Sequence, residues 1–292
     1  MLDLVASDIL RNAACVGTIA AVTAALVGYF AVLRAQAFAG EALTDICFAG
    51  SAGSALALFN PLLGMLIFSV AASIGLGLLG DRARGRDVEI GMALSMAMGL
   101  GVLFLSLYAH HSAAHATAGM SLLFGSLLSI RPEEIGFMLV CAASVVLALA
   151  LISRPLLFAT IDPVAARAKG LPTLLLSVAF MLVLAVAVSM CVLTIGALLS
   201  LSLLVAPPAA ALRLSRRPGR ALALSALFGL AVMWGGLFAS LVGPWKHPPI
   251  GFSISSLGAI VYFAAFAAGK RRRGQPKRGG GHPGREVLDE GR

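Results

Sequence analysis

Between residues 13 and 269 the chain is a succession of apolar runs, each close to the length that crosses a bilayer, separated by short polar segments. A hydrocarbon core of about 30 Å takes roughly 20 helical residues to span. Within it every backbone N–H and C=O must be paired inside the chain, and for runs of this length the helix does that. Nine runs are legible, at 13–33, 43–59, 61–79, 90–109, 134–153, 173–190, 193–212, 221–242 and 251–269. The expected fold class is therefore all-α, a polytopic membrane helix bundle of about nine transmembrane helices over residues 1–269, followed by a basic tail at 270–292. Only 12% of the residues are charged, about half the share usual in a soluble domain, which excludes a soluble enzyme and a disordered protein. Residues 1–12 read as a short amphipathic stretch at the interface.

The basic residues then set the orientation. With the N-terminus out and the C-terminus in, 19 of the 22 Lys and Arg fall on the cytoplasmic side, leaving Arg11, Arg131 and Lys246 outside. Such a bias is what holds positive loops in the cytoplasm. This placement, rather than nucleic-acid binding, accounts for a net charge of +9, and no nucleic-acid partner is expected. Asp3 and Asp8 occupy the place of a basic leader, so no cleavable signal peptide is expected. The tail from Lys270 is rich in Gly, Pro and Arg, and disorder is expected there. Its opening Lys270–Arg273 run reads as a topology anchor or, alternatively, as a contact for anionic membrane lipid.

Within this apolar background a few polar residues stand out. Glu41 and Asp45 open the second run, four residues apart, so a helix would carry them on one face. A carboxylate inside a bilayer costs about 2.5–3.5 kcal/mol on insertion scales, and such groups face a bundle interior or a polar pathway. Two of them one turn apart repel, and a bound cation relieves that repulsion. Oxygen ligands suit hard divalent ions such as manganese, magnesium or ferrous iron. The plainer alternative places Glu41 at the cytoplasmic interface near Arg34 and embeds Asp45 alone.

His110, His111 and His115 lie just beyond the fourth run on the expected outer side, where they are weaker metal candidates or simply solvated. Cys15, Cys47, Cys141 and Cys191 all fall in apolar runs without paired spacing, and read as small buried hydrophobes. Between the fifth and sixth runs, Asp162-Pro163 reads as an N-cap followed by proline at the first helical position. A short helix through Lys169 would end at Gly170, with Pro172 beyond it. On the cytoplasmic side it is either a docking element or a plain connector. No GxxxxGK[ST] and no HExxH occur, and all five histidines lie outside the runs, so neither a P-loop nor an intramembrane hydrolase is supported. The chain is expected not to be an enzyme and to bind no cofactor of its own.

Four segments, in order, resemble the integral-membrane subunit of the metal-ion ABC importers, the zinc/manganese/iron uptake permeases. They are VLRAQAFAGEALTDICFAGSAGSAL, LLFGSLLSI at 122–130, RPLLFATIDPVAARAKGLPTLLLSVAF and VLTIGALLSLSLLVAPPAAALRL. The resemblance covers about Arg11 to Ala268. It implies an ATP-driven importer in a bacterial plasma (inner) membrane, with a divalent metal ion as the transported substrate. It further implies a permease homodimer around the pathway, a separate ABC ATPase subunit, and an extracytoplasmic metal-binding protein. Asp162, Pro163, Arg167, Lys169 and Gly170 would form the element that couples to the ATPase. Where the family commonly has Asp or His followed four residues later by His, this chain has Glu41 and Asp45. Carboxylate thus replaces imidazole, which favours a harder ion and leaves the metal open. A secondary metal carrier and a non-transporting membrane assembly subunit remain as alternatives.

Overall fold

The computed structural model describes residues 8–78, 86–110, 125, 127, 132–215, 217–242 and 250–273. Among them there are ten helices and no strand. In chain order they are α1 (Asp8–Leu33), α2 (Ala37–Leu56), α3 (Pro61–Leu78), α4 (Arg86–Ala109), α5 (Pro132–Ile161), α6 (Pro163–Ala168), α7 (Thr173–Ile195), α8 (Ala197–Leu214), α9 (Pro218–Val242) and α10 (Ile250–Arg273). Seven of these (α1, α3, α4, α5, α7, α9 and α10) are long and apolar enough to cross a membrane. The chain is a multi-pass helical membrane protein.

The helices pack in two groups. One gathers α2, α3, α4 and α7, the other α1, α8, α9 and α10, and α5 lies against α1 and α7. Helix α7 touches both groups, and α2 meets α8 across the junction. Most of α1 and α7 is covered by other helices, whereas α4, α5 and α10 present most of their surface outward. That outward surface is apolar, with Met96, Val140, Leu151, Ile260 and Phe263 all exposed. In water such a continuous apolar face would be an interaction surface. On a spanning bundle it is the face that lipid covers. Close helix contacts rely on small residues, as expected where no hydrophobic force drives helices together inside lipid. Gly28 on α1 shows this directly, since a Cβ there would collide with the Leu204 carbonyl of α8.

Several boundaries differ from those expected. Residues 8–12, expected in a separate interfacial stretch, are part of α1, and residues 1–7 lie outside the described ones. The second run, expected at 43–59, is a helix from Ala37 to Leu56 that takes in both carboxylates. The seventh, expected at 193–212, gives up residues 193–195 to α7, because the chain breaks at Gly196 with φ 94°. The first residues of the tail are helical, since α10 runs through Arg273, and residues 274–292 lie outside the described ones. The Asn60-Pro61 turn is as expected: Asn60 Oδ1 accepts the Leu62 N–H at 2.9 Å and Pro61 opens α3.

Candidate functional site: a carboxylate pair and a capped connecting helix

Helix α2 carries both embedded carboxylates and sits among α3, α4, α7 and α8. Its Gly, Ala and Ser residues let neighbours approach closely, which explains how a 20-residue helix of modest apolarity ends up with most of its length buried. Glu41 and Asp45 lie one turn apart on it. Asp45 is buried, and Glu41 is half-buried, with its Oε2 enclosed and without a hydrogen-bond partner. One carboxylate oxygen of Glu41 is thus shielded although the side chain as a whole is only half-buried. A buried carboxylate oxygen that receives no hydrogen bond is destabilising unless something else, such as a cation, is drawn to it.

Around the pair, side-chain hydrogen bonds hold α2 from two directions. Thr44, adjacent to Asp45, shares a hydrogen bond with Ser200 of α8 at 3.2 Å and donates to the Gly40 carbonyl at 3.0 Å. Two residues further on, Cys47 Sγ lies 3.3 Å from Ser189 Oγ of α7, which itself lies 3.1 Å from Ser69 Oγ of α3. From its place in an apolar run, Cys47 is expected to be a small buried hydrophobe. It is fully buried, as expected, but it also takes part in a thiol–hydroxyl chain across three helices. Cys191 is buried too, while Cys141 is partly exposed and Cys15 is exposed, so burial does not extend to all four. Thr44, Ser69, Ser189 and Ser200 had no distinguishing signal, because serine and threonine occur throughout the apolar runs.

Among the described residues no three His, Cys, Asp or Glu side chains converge as a resident metal site. Two carboxylates supply oxygen donors and negative charge but leave most of a hard ion's coordination to water. Such an arrangement suits an ion in passage better than one held permanently. His110 lies at the exposed end of α4, its N–H bonded to the Ser106 carbonyl at 3.2 Å. His111 and His115 lie outside the described residues.

The capped connector forms as its sequence dictates. Asp162 Oδ1 accepts the Ala165 N–H at 2.8 Å, and Pro163 occupies the first helical position of α6. At the other end Lys169 is the cap residue, Gly170 turns left-handed at φ 74°, and the Leu171 N–H reaches back to the Ala166 carbonyl at 3.1 Å. Ala166 faces inward against Ala159 and Leu176, which fixes α6 on the ends of α5 and α7. Outward it presents Val164, 77% exposed, together with Arg167 and Lys169. The Lys169 ammonium sits 5.1 Å from the Phe158 ring centroid. Val164, Arg167 and Lys169 thus give this pinned, capped helix an exposed apolar and basic face.

The family model described as the ABC 3 transport family matches residues 6–269. The chain belongs to that family. A manganese transport system membrane protein, MntD of Bacillus subtilis, is 30% identical over 268 residues, covering 86% of this chain and 88% of the relative. A second, MntC of Listeria monocytogenes, is 26% identical over 258 residues, covering 88% and 89%. Among solved structures, PsaBC from Streptococcus pneumoniae in complex with Fab shares the fold at a TM-score of 0.78 and 23% identity, covering 91% of this chain and 94% of that one. The family resemblance carried by the four sequence segments is thus borne out.

Proposed function

We propose that this chain is the membrane-spanning permease subunit of an ATP-driven importer of divalent metal ions, with manganese favoured over zinc and iron. The observation that carries the proposal is the enclosed, unpartnered Glu41 Oε2 one turn from buried Asp45, on a helix packed amid the bundle. A hard divalent cation would offset both the desolvation of these groups and their mutual repulsion. The relatives named for manganese transport and the all-oxygen donor set point the same way.

In this reading α2 and α8 also cross the membrane, giving nine spans with the N-terminus out and the C-terminus in, as the basic residues favour. Two copies form the pathway in a bacterial plasma membrane, an extracytoplasmic binding protein delivers the ion, and an ATPase subunit docks on α6. Closure of the ATPase dimer on ATP draws the α6 helices together and switches the side to which Glu41 and Asp45 are open. Hydrolysis belongs to the partner, so the chain is a transporter component and not itself an enzyme.

The test is the whole-cell content of manganese, zinc and iron in a deletion strain under metal starvation. It is complemented with wild type, with Glu41→Ala/Asp45→Ala, or with a variant that disrupts α6. A fall in one metal that only wild type restores supports the proposal and names the substrate. Unchanged content of all three metals in every strain refutes it.

A further inference from the structure

We propose that Arg34 is a positioning residue that ties the docking helix α6 to the carboxylate-bearing helix α2. This deepens the permease reading and rests on it. Arg34 lies in the three-residue connection between α1 and α2. That connection is closely specified: the Arg34 N–H bonds to the Phe30 carbonyl at 2.9 Å, Ala35 turns through φ 54°, and the Gln36 N–H returns to the Ala31 carbonyl at 2.8 Å. From this turn the guanidinium reaches three elements. Its Nε donates to Gln36 Oε1 at 3.4 Å, a terminal nitrogen donates to Thr160 Oγ1 at 3.4 Å, and Cζ stands 5.7 Å from the Phe180 ring centroid of α7.

The two hydrogen bonds each lead somewhere mechanically. Thr160 is the penultimate residue of α5, two positions before the Asp162 that caps α6. Gln36 is buried, and its carbonyl accepts the Gly40 N–H at 3.1 Å, so it is bonded into the first turn of α2, next to Glu41. A displacement of α6 is therefore passed through Thr160 and Arg34 to the start of the helix that holds the carboxylate pair. Coupling between distant sites travels through such contiguous bonded and packed elements where they have more than one arrangement. Both hydrogen bonds, at 3.4 Å, are longer than the ordinary range of about 2.7–3.2 Å, which suits a joint whose partners shift during the cycle and makes them weak contributors to folding. Arginine is the side chain for this position because its planar fork donates in two directions while its face stacks on an aromatic ring, which lysine cannot do together.

The experiment uses the permease purified with its ATPase subunit in proteoliposomes, supplied with the extracytoplasmic binding protein, and measures manganese moved per ATP hydrolysed, with basal hydrolysis and manganese binding in parallel. For Arg34→Gln, the manganese moved per ATP should fall about threefold or more, with basal hydrolysis and binding retained. Thr160→Val, which removes one bond and little volume, should lower the same ratio by less, and the double variant should be no worse than Arg34→Gln alone. Arg34→Lys should not restore the ratio. A wild-type ratio in both single variants overturns the proposal. So does an Arg34→Gln variant that loses binding and thermal stability together while Thr160→Val is normal, since that identifies a purely structural residue. A wild-type complex that moves none of manganese, zinc or iron with ATP instead overturns the permease reading itself.

Discussion

Replacing Glu41 with glutamine keeps the shape of the side chain and removes its charge, which separates what the residue costs the fold from what it does for the ion. An embedded carboxylate costs about 2.5–3.5 kcal/mol on insertion scales, and the enclosed Oε2 has no hydrogen bond to offset this. A neutral amide in the same place is still polar, at roughly 1–3 kcal/mol without a partner. The metal-free Glu41→Gln variant should therefore be more stable than wild type by about 1 kcal/mol. Manganese reverses the order. An ion at about 100 times its dissociation constant stabilises the folded wild type by about 2.7 kcal/mol, and the variant forfeits most of that. The protein carries its own reporter, because Cys47 and Cys191 are buried and react with a thiol-directed fluorophore only on unfolding. Exposed Cys15 and half-exposed Cys141 are blocked beforehand. Melting both proteins in chelator and in manganese should show the two curves exchange places. A variant less stable than wild type in chelator, or an equal gain from manganese in both, refutes the reasoning.

Other substitutions probe packing and docking. Gly28→Val should destabilise the bundle by about 1–3 kcal/mol, read as a lower melting midpoint, because the added carbon meets the backbone carbonyl of Leu204 and not a flexible side-chain end. Ser189→Ala removes the centre of the Cys47–Ser189–Ser69 chain and should cost roughly 1 kcal/mol, with metal uptake per ATP unchanged. Asp162→Ala removes the α6 cap, worth about 1 kcal/mol, and should weaken ATPase-subunit binding in a titration by roughly fivefold while manganese binding holds.

What the sequence conveyed, and what it withheld, follows from how each signal is written. The spans announce themselves because apolar length is a one-dimensional property, and the α6 cap because Asp162, Pro163 and Gly170 each fix the local backbone in a specific way. Glu41 and Asp45 stand out by cost alone. The break at Gly196 was placed a few residues early because α7 and α8 form one unbroken apolar run in which a single glycine marks the turn, among 32 glycines in the chain. The Thr44–Ser200 and Cys47–Ser189–Ser69 bonds were invisible, since which serine meets which helix depends on rotation and register, set only when the bundle assembles. Arg34 read as a topology residue, and its reach to Thr160, 126 positions away, exists only in three dimensions.

On the proposed reading, Glu41 and Asp45 mark the path of a divalent ion driven by ATP. The most direct measurement is ATP-dependent manganese accumulation by proteoliposomes holding the permease with its ATPase subunit and supplied with the extracytoplasmic binding protein, comparing wild type with Glu41→Gln/Asp45→Asn. The account predicts accumulation by wild type, and its loss in the double variant while basal ATP hydrolysis continues. Equal accumulation by both proteins would contradict it.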